Sequence, residues 1–134
     1  MRSLAAALAI LLVAACGGGD QTAQLKEVQR VKAGSMEVVL LAPGDSLKKG
    51  KGNFALEFRN ADGELVDVGS VMVGASMPMA GMAPMIGGTE VKATPAPGRY
   101  ELATDFSMAG SWQMTVEWDG PKGHGSARMP GTVR

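Results

Sequence analysis

Cysteine and histidine each occur once in the 134 residues, as Cys16 and His124. That scarcity removes several kinds of chemistry. A Cys/His zinc site needs three or four such ligands, a thiol–imidazole pair needs both groups within reach, and a disulfide needs two cysteines. HExxH spacing, a phosphate-binding glycine loop and a convincing carboxylate pair are also missing, so no enzyme is expected. Asp62, Glu64 and Asp67 are close in sequence, but their turn position and alternation mark them as solvated. Charge of one sign is not in excess: 13 Lys and Arg stand against 13 Asp and Glu. No basic patch interleaves with aromatics, which argues against nucleic acid as a partner. Lys48, Lys49 and Lys51 form the one charge cluster, between two strand patterns, and read as the cap of a solvated loop. No apolar run reaches the roughly 20 residues needed to span a bilayer.

The longest apolar run, residues 4–15, follows the cationic start Met1-Arg2-Ser3 and ends in Val13-Ala14-Ala15 before Cys16. Its length suits a secretory signal rather than a membrane span, which assigns residues 1–15 to a signal peptide. Small residues leading to a cysteine resemble the lipobox of bacterial lipoproteins. The resemblance implies a diacylglyceryl thioether on Cys16, cleavage before it and acylation of the new amino terminus. Two or three acyl chains hold a protein at a lipid membrane effectively permanently. A plain signal peptide that ends near a cysteine is the alternative. Under the lipoprotein reading the sole thiol is consumed, and the protein faces the periplasm from the cell envelope. By resemblance to enterobacterial sorting, Gly17 in place of aspartate implies the outer membrane where the host has one. Residues 16–34 then form the lipidated cysteine and its tether, with Gly17-Gly18-Gly19 as flexible spacer. Within the tether, residues 24–32 read as a turn or two of helix, with Leu25, Val28 and Val31 on one side and no strong cap.

Residues 35–134 read as one all-β domain. Met36 to Leu41 is β-branched and apolar, and Ala42-Pro43-Gly44-Asp45 closes it as a turn. Phe54, Leu56 and Phe58 share a face, with Ala55, Glu57 and Arg59 opposite. Asn60-Ala61-Asp62-Gly63 makes a tight turn. Residues 65–68 and 70–73 predict one strand interrupted near Gly69. Val91 alternates with Glu90 and Lys92; Pro95-Ala96-Pro97-Gly98 turns the chain into a strand carrying Tyr100 and Leu102. Trp112, Met114, Val116 and Trp118 line the face of a further strand, and residues 124–129 follow as an edge strand after the turn at 119–123. About seven short strands in a hundred residues suggest a small immunoglobulin-like antiparallel β-sandwich.

Methionine is abundant, at 10 residues, and four of them sit in one short segment: Met77, Met79, Met82 and Met85, with Pro78 and Pro84 between. The prolines exclude a regular central strand, so the segment is a loop or irregular strand extension. A loop rich in proline and glycine is a poor place to bury four long apolar side chains. A thioether is a soft ligand that selects Cu(I) and needs no deprotonation. Spacings of two and three residues let three sulfurs converge on one ion if the loop curls. Equally, Met77 and Met79 continue the parity of Val71 and Val73 and can extend a core face, while Met85 beside Ile86 can anchor the loop. Met114 belongs to the core, and Met108 lies in a turn leading to Trp112. His124, between Gly123 and Gly125, reads as an exposed turn residue more readily than as a metal ligand.

The segment 77–85, then Gly98-Arg99-Tyr100, then Phe106-Ser107-Met108-Ala109-Gly110-Ser111-Trp112, resembles the YtkA-like family, which is similar to the FixH-like proteins. The resemblance covers about residues 34–120. It implies a small periplasmic or extracellular β-sandwich with a role in handling copper or in assembling respiratory oxidases, beside a metal-efflux or oxidase-assembly partner. Ala83 follows Met82 where many relatives carry a histidine. Losing that imidazole weakens a Cu(II) site and leaves a thioether site suited to Cu(I), or no metal site. The reading that follows is a membrane-tethered lipoprotein that binds or passes copper through Met77, Met79, Met82 and Met85. The alternative is a metal-free interaction or accessory domain of an envelope complex, whose flexible thioethers form an apolar contact surface.

Overall fold

The computed structural model describes residues 25–134. The expected signal peptide, Cys16 and the first part of the expected tether lie outside the described residues. The remainder is all β, in eight antiparallel strands: β1 (Leu25–Ala33), β2 (Met36–Pro43), β3 (Gly50–Arg59), β4 (Ser70–Met77), β5 (Met85–Ala93), β6 (Arg99–Phe106), β7 (Gly110–Gly120) and β8 (Gly123–Val133). Their lateral order is β1-β2-β3-β6-β5-β4-β7-β8. The strands fold over at β5. Its first residues, Met85 to Gly87, pair with β4, and Gly88 to Ala93 pair with β6. One layer is therefore β1-β2-β3-β6 with most of β5, and the other is β4-β7-β8. Glycine is required at this corner: a Cβ on Gly87 would stand 2.9 Å from the Asp105 carbonyl oxygen and 3.2 Å from the Trp112 ring.

The eighth strand is the one that local pattern misread. Residues 25–33 are a strand, not a helical turn, and the sandwich begins ten residues earlier than the expected boundary at 35. The register explains the error. Glu27 pairs with Leu41 and Gln29 with Leu40, which leaves Val28 as the extra residue of a β-bulge. A bulge puts Val28 and Val31 on the same side although they are three apart, and both pack against the core. That spacing imitates a helix. Pairing with β2 supplies the hydrogen bonds that an isolated short helix would lack.

A second departure lies between β3 and β4. Residues 65–68 are not part of a strand; they carry the chain from one layer to the other, with Val66 and Val68 buried under the crossing. Their backbone is tied by the Val66 amide, which donates to the Phe58 carbonyl at 2.8 Å. The last strand is also longer than expected, running to Val133, where Leu47 bridges to it.

All six aromatic residues are in the core. Phe58 meets Tyr100 edge-on at 5.5 Å and Trp118 at 5.3 Å, and Phe106 meets Trp112 at 5.2 Å, so the two layers are joined by T-shaped ring pairs. The predicted faces Phe54/Leu56/Phe58 and Trp112/Met114/Val116/Trp118 are the inner faces. The opposite face of β3 is covered as well. Ala55 is buried there, and Glu57 is only 3% exposed beneath Arg59 and Arg99, both of which form ion pairs with it. Further along that face Arg30 bonds to Glu27 and Glu37, and its guanidinium holds the Glu27 carboxyl below the usual carboxylate range.

Candidate functional site

The methionine segment is a hairpin between β4 and β5. β4 alternates Val71, Val73, Ala75 and Met77 toward the interior, and Met77 faces Met85 across the last pair of the ladder. Directly opposed side chains have Cβ atoms about 4.5–5.5 Å apart, so the Met77 and Met85 thioethers share one patch at the open end of the sandwich. Both are half-buried and packed against the core. Residues 78–84 form the connection. Its turn is closed by the Met82 amide donating to the Met79 carbonyl at 3.3 Å, with Gly81 at φ 71°. Met79 is half-buried, whereas Met82 is 68% exposed at the tip. Ile86, which faces outward from β5, is 70% exposed.

The base of the hairpin is braced by the loop before β7. The Ser107 hydroxyl donates to the Met85 Sδ at 2.8 Å. Met108 lies in the same loop, and its carbonyl accepts the Trp112 indole N–H at 2.9 Å. The turn at Ser107 to Gly110 leads into the Trp112 strand as expected, and its contact with the hairpin is not visible in local spacing. Its one available signal was the polar Ser107 beside a further methionine.

The four expected residues therefore fall into two roles. Met77 and Met85 are brought together and anchored, while Met79 and Met82 extend over the tip. His124 is not among them. It pairs with Asp119 at the far end of β7, whereas the hairpin joins β7 through Ser76 and Gln113. Six residues of strand separate these points, about 20 Å. Among the described residues no group of three or more His, Cys, Asp or Glu side chains could hold a metal ion. A metal at the hairpin would be held by thioethers, and two paired sulfurs with a third half-buried nearby are a donor set that fits a soft monovalent cation and not a hard one.

A search of curated proteins found no match for the chain. Among solved structures, the Lin-41 filamin domain superposes with a TM-score of 0.50 at 16% identity, covering 75% of this chain and 92% of that one. At that identity the likeness bears on fold alone, and it gives an immunoglobulin-like sandwich. The YtkA-like family matches residues 23–117, a span that takes in β1 through most of β7 and the whole methionine hairpin. This chain belongs to the YtkA-like family.

Proposed function

We propose that this protein is an envelope lipoprotein, anchored through acylated Cys16, that binds or passes Cu(I) through Met77, Met79, Met82 and Met85 in copper handling or oxidase assembly. The observation that carries the reading is the cross-strand pair of Met77 and Met85 at the base of a hairpin whose tip holds the other two sulfurs. Paired strands hold two donors at a set separation before any ion arrives, which lowers the ordering cost of binding. The immunoglobulin-like fold and the family point to a non-catalytic domain, which agrees with cargo binding rather than chemistry.

The test is a Cu(I) titration against a bicinchoninate competitor, using residues 20–134, which keep all eight strands and lack Cys16. Stoichiometric binding that is lost when the four methionines become leucine supports the proposal, because the exchange nearly conserves volume and removes only sulfur. Retained binding in that variant excludes the hairpin as the site.

A second reading is favoured by the exposure of Met82 and Ile86 on the same hairpin. Flexible apolar side chains at an exposed tip suit a partner protein as well as a metal. Absence of Cu(I) binding, together with loss of partner capture in a Met82→Ser/Ile86→Ser variant, would select that reading.

A further inference from the structure

The two ends of the sandwich differ in charge and in apolar exposure. β3 begins where β6 ends, Gly50 opposite Phe106. β7 begins where β8 ends, Gly110 opposite Val133. β1 begins opposite the end of β2, Leu25 facing Pro43. The loop at 44–49, the methionine hairpin, the loop at 107–109 and Leu25 therefore share one pole. The turns at 34–35, 60–69, 94–98 and 121–122 make the other.

The methionine pole exposes Lys48, Lys49 and Lys51. Its acids are Asp45, which is bonded to Lys26 at 3.2 Å, and Asp105, across the ladder from Lys51. Among the described residues, three of the five exposed large apolar side chains, Met82, Ile86 and Met108, are at this same pole. At the far pole the exposed acids Asp62, Glu64, Asp67 and Asp119 outnumber the exposed cations Lys32 and Lys122, and Arg59 and Arg99 there are engaged by Glu57.

We propose that the methionine pole docks on an anionic lipid surface, with Lys48, Lys49 and Lys51 among the headgroups and Met82 and Ile86 at the acyl boundary. Cations beside exposed apolar tips are the pattern that binds such an interface. Chain connectivity favours the same pole. Leu25 is nine residues from Cys16, a reach of at most about 30 Å. The eleven residues of β7 put the far pole about 33 Å further on. The connectivity argument rests on the anchored reading; the charge argument stands without it.

The test uses the full chain processed in a bacterial host, with Met82→Cys or Lys122→Cys carrying an environment-sensitive dye. Each preparation is mixed with vesicles of phosphatidylcholine alone or with phosphatidylglycerol added, and mass spectrometry reads acylation at Cys16. The dye at position 82 is expected to enter the interface of phosphatidylglycerol vesicles, while the dye at position 122 stays in water. Changing Lys48, Lys49 and Lys51 to glutamine should weaken docking on the order of a hundredfold, each lysine contributing roughly fivefold at an anionic surface. A dye at 82 that is as aqueous as the dye at 122, or indifferent to phosphatidylglycerol, overturns the proposal. An unacylated Cys16 defeats the anchored reading alone; a Cys16→Ser background then leaves position 82 the one labelled thiol, and its lipid dependence still decides this one.

Discussion

The Met77 thioether lies against Gly110, at the start of the neighbouring strand β7: a Cβ on Gly110 would stand 3.1 Å from the Met77 Sδ. Gly110 also has φ 143°, a backbone conformation that side-chain-bearing residues rarely adopt. Gly110→Ala is therefore expected to cost about 1–3 kcal/mol in urea unfolding and to displace the Met77 thioether. The Met77 methyl resonance reports the second effect. An unshifted methyl with unchanged stability would mean that this contact does not hold the sulfur in place.

Thr104 offers a test of the core. Its side chain is buried on the inner face of β6, and its hydroxyl has no hydrogen-bond partner among the described residues. An unpaired buried hydroxyl costs stability that an isosteric methyl does not. Thr104→Val should raise the urea midpoint by an amount equivalent to about 1 kcal/mol, with an unchanged slope. A lower midpoint would show that the hydroxyl is bonded after all.

Tyr100 donates its hydroxyl to the Gly69 carbonyl at 2.8 Å, tying β6 to the start of β4. Burial pushes its pKa above the ordinary value of 10, and the negative charge of Asp67 pushes the same way. The fold thus favours the neutral phenol. Its contribution is complete below pH 10 and declines as pH rises from there through the folded value. Stability should be insensitive to this group near neutrality and fall in alkali. Tyr100→Phe should cost about 1 kcal/mol at neutral pH and flatten the alkaline limb. Tyrosinate absorbance is unambiguous because the chain has one tyrosine; a titration centred at or below 10 would contradict the assignment.

Oxidation can map the hairpin without mutation. Met72 and Met82 are 70% and 68% exposed, whereas Met114 and Met129 are buried. Dilute peroxide should convert Met72 and Met82 to sulfoxides first and leave the buried pair intact, as read by peptide mass spectrometry. Ag(I), a soft stand-in for Cu(I) without its redox chemistry, should protect Met82 and not Met72, which lies back along β4 opposite Glu117. Equal protection of both would remove the hairpin as the metal site.

Alternation alone marked the inner faces of β3 and β7, because a period of two relates residues that are neighbours in the chain. Turn chemistry did the same for the bends at 60–63, 95–98 and 119–123. Glu57 shows the limit of that reasoning. Its parity placed it outside, and parity was right, but Arg59 and Arg99 cover it from positions that only strand pairing brings near. Val28 shows another limit, since a bulge shifts parity and its existence depends on the partner strand.

The same division applies to the candidate site. The amino-acid sequence by itself determined that four methionines lie in one proline-bounded connection, and that the connection follows an inward-facing row of valines, because these are facts of local spacing. Only the tertiary structure decided that Met77 and Met85 oppose each other, that Met82 stands out at the tip and Ser107 reaches Met85, and that His124 is at the other pole. Those relations depend on strand order and on the fold-over at β5, which join residues distant in the chain through backbone pairing that no local pattern encodes.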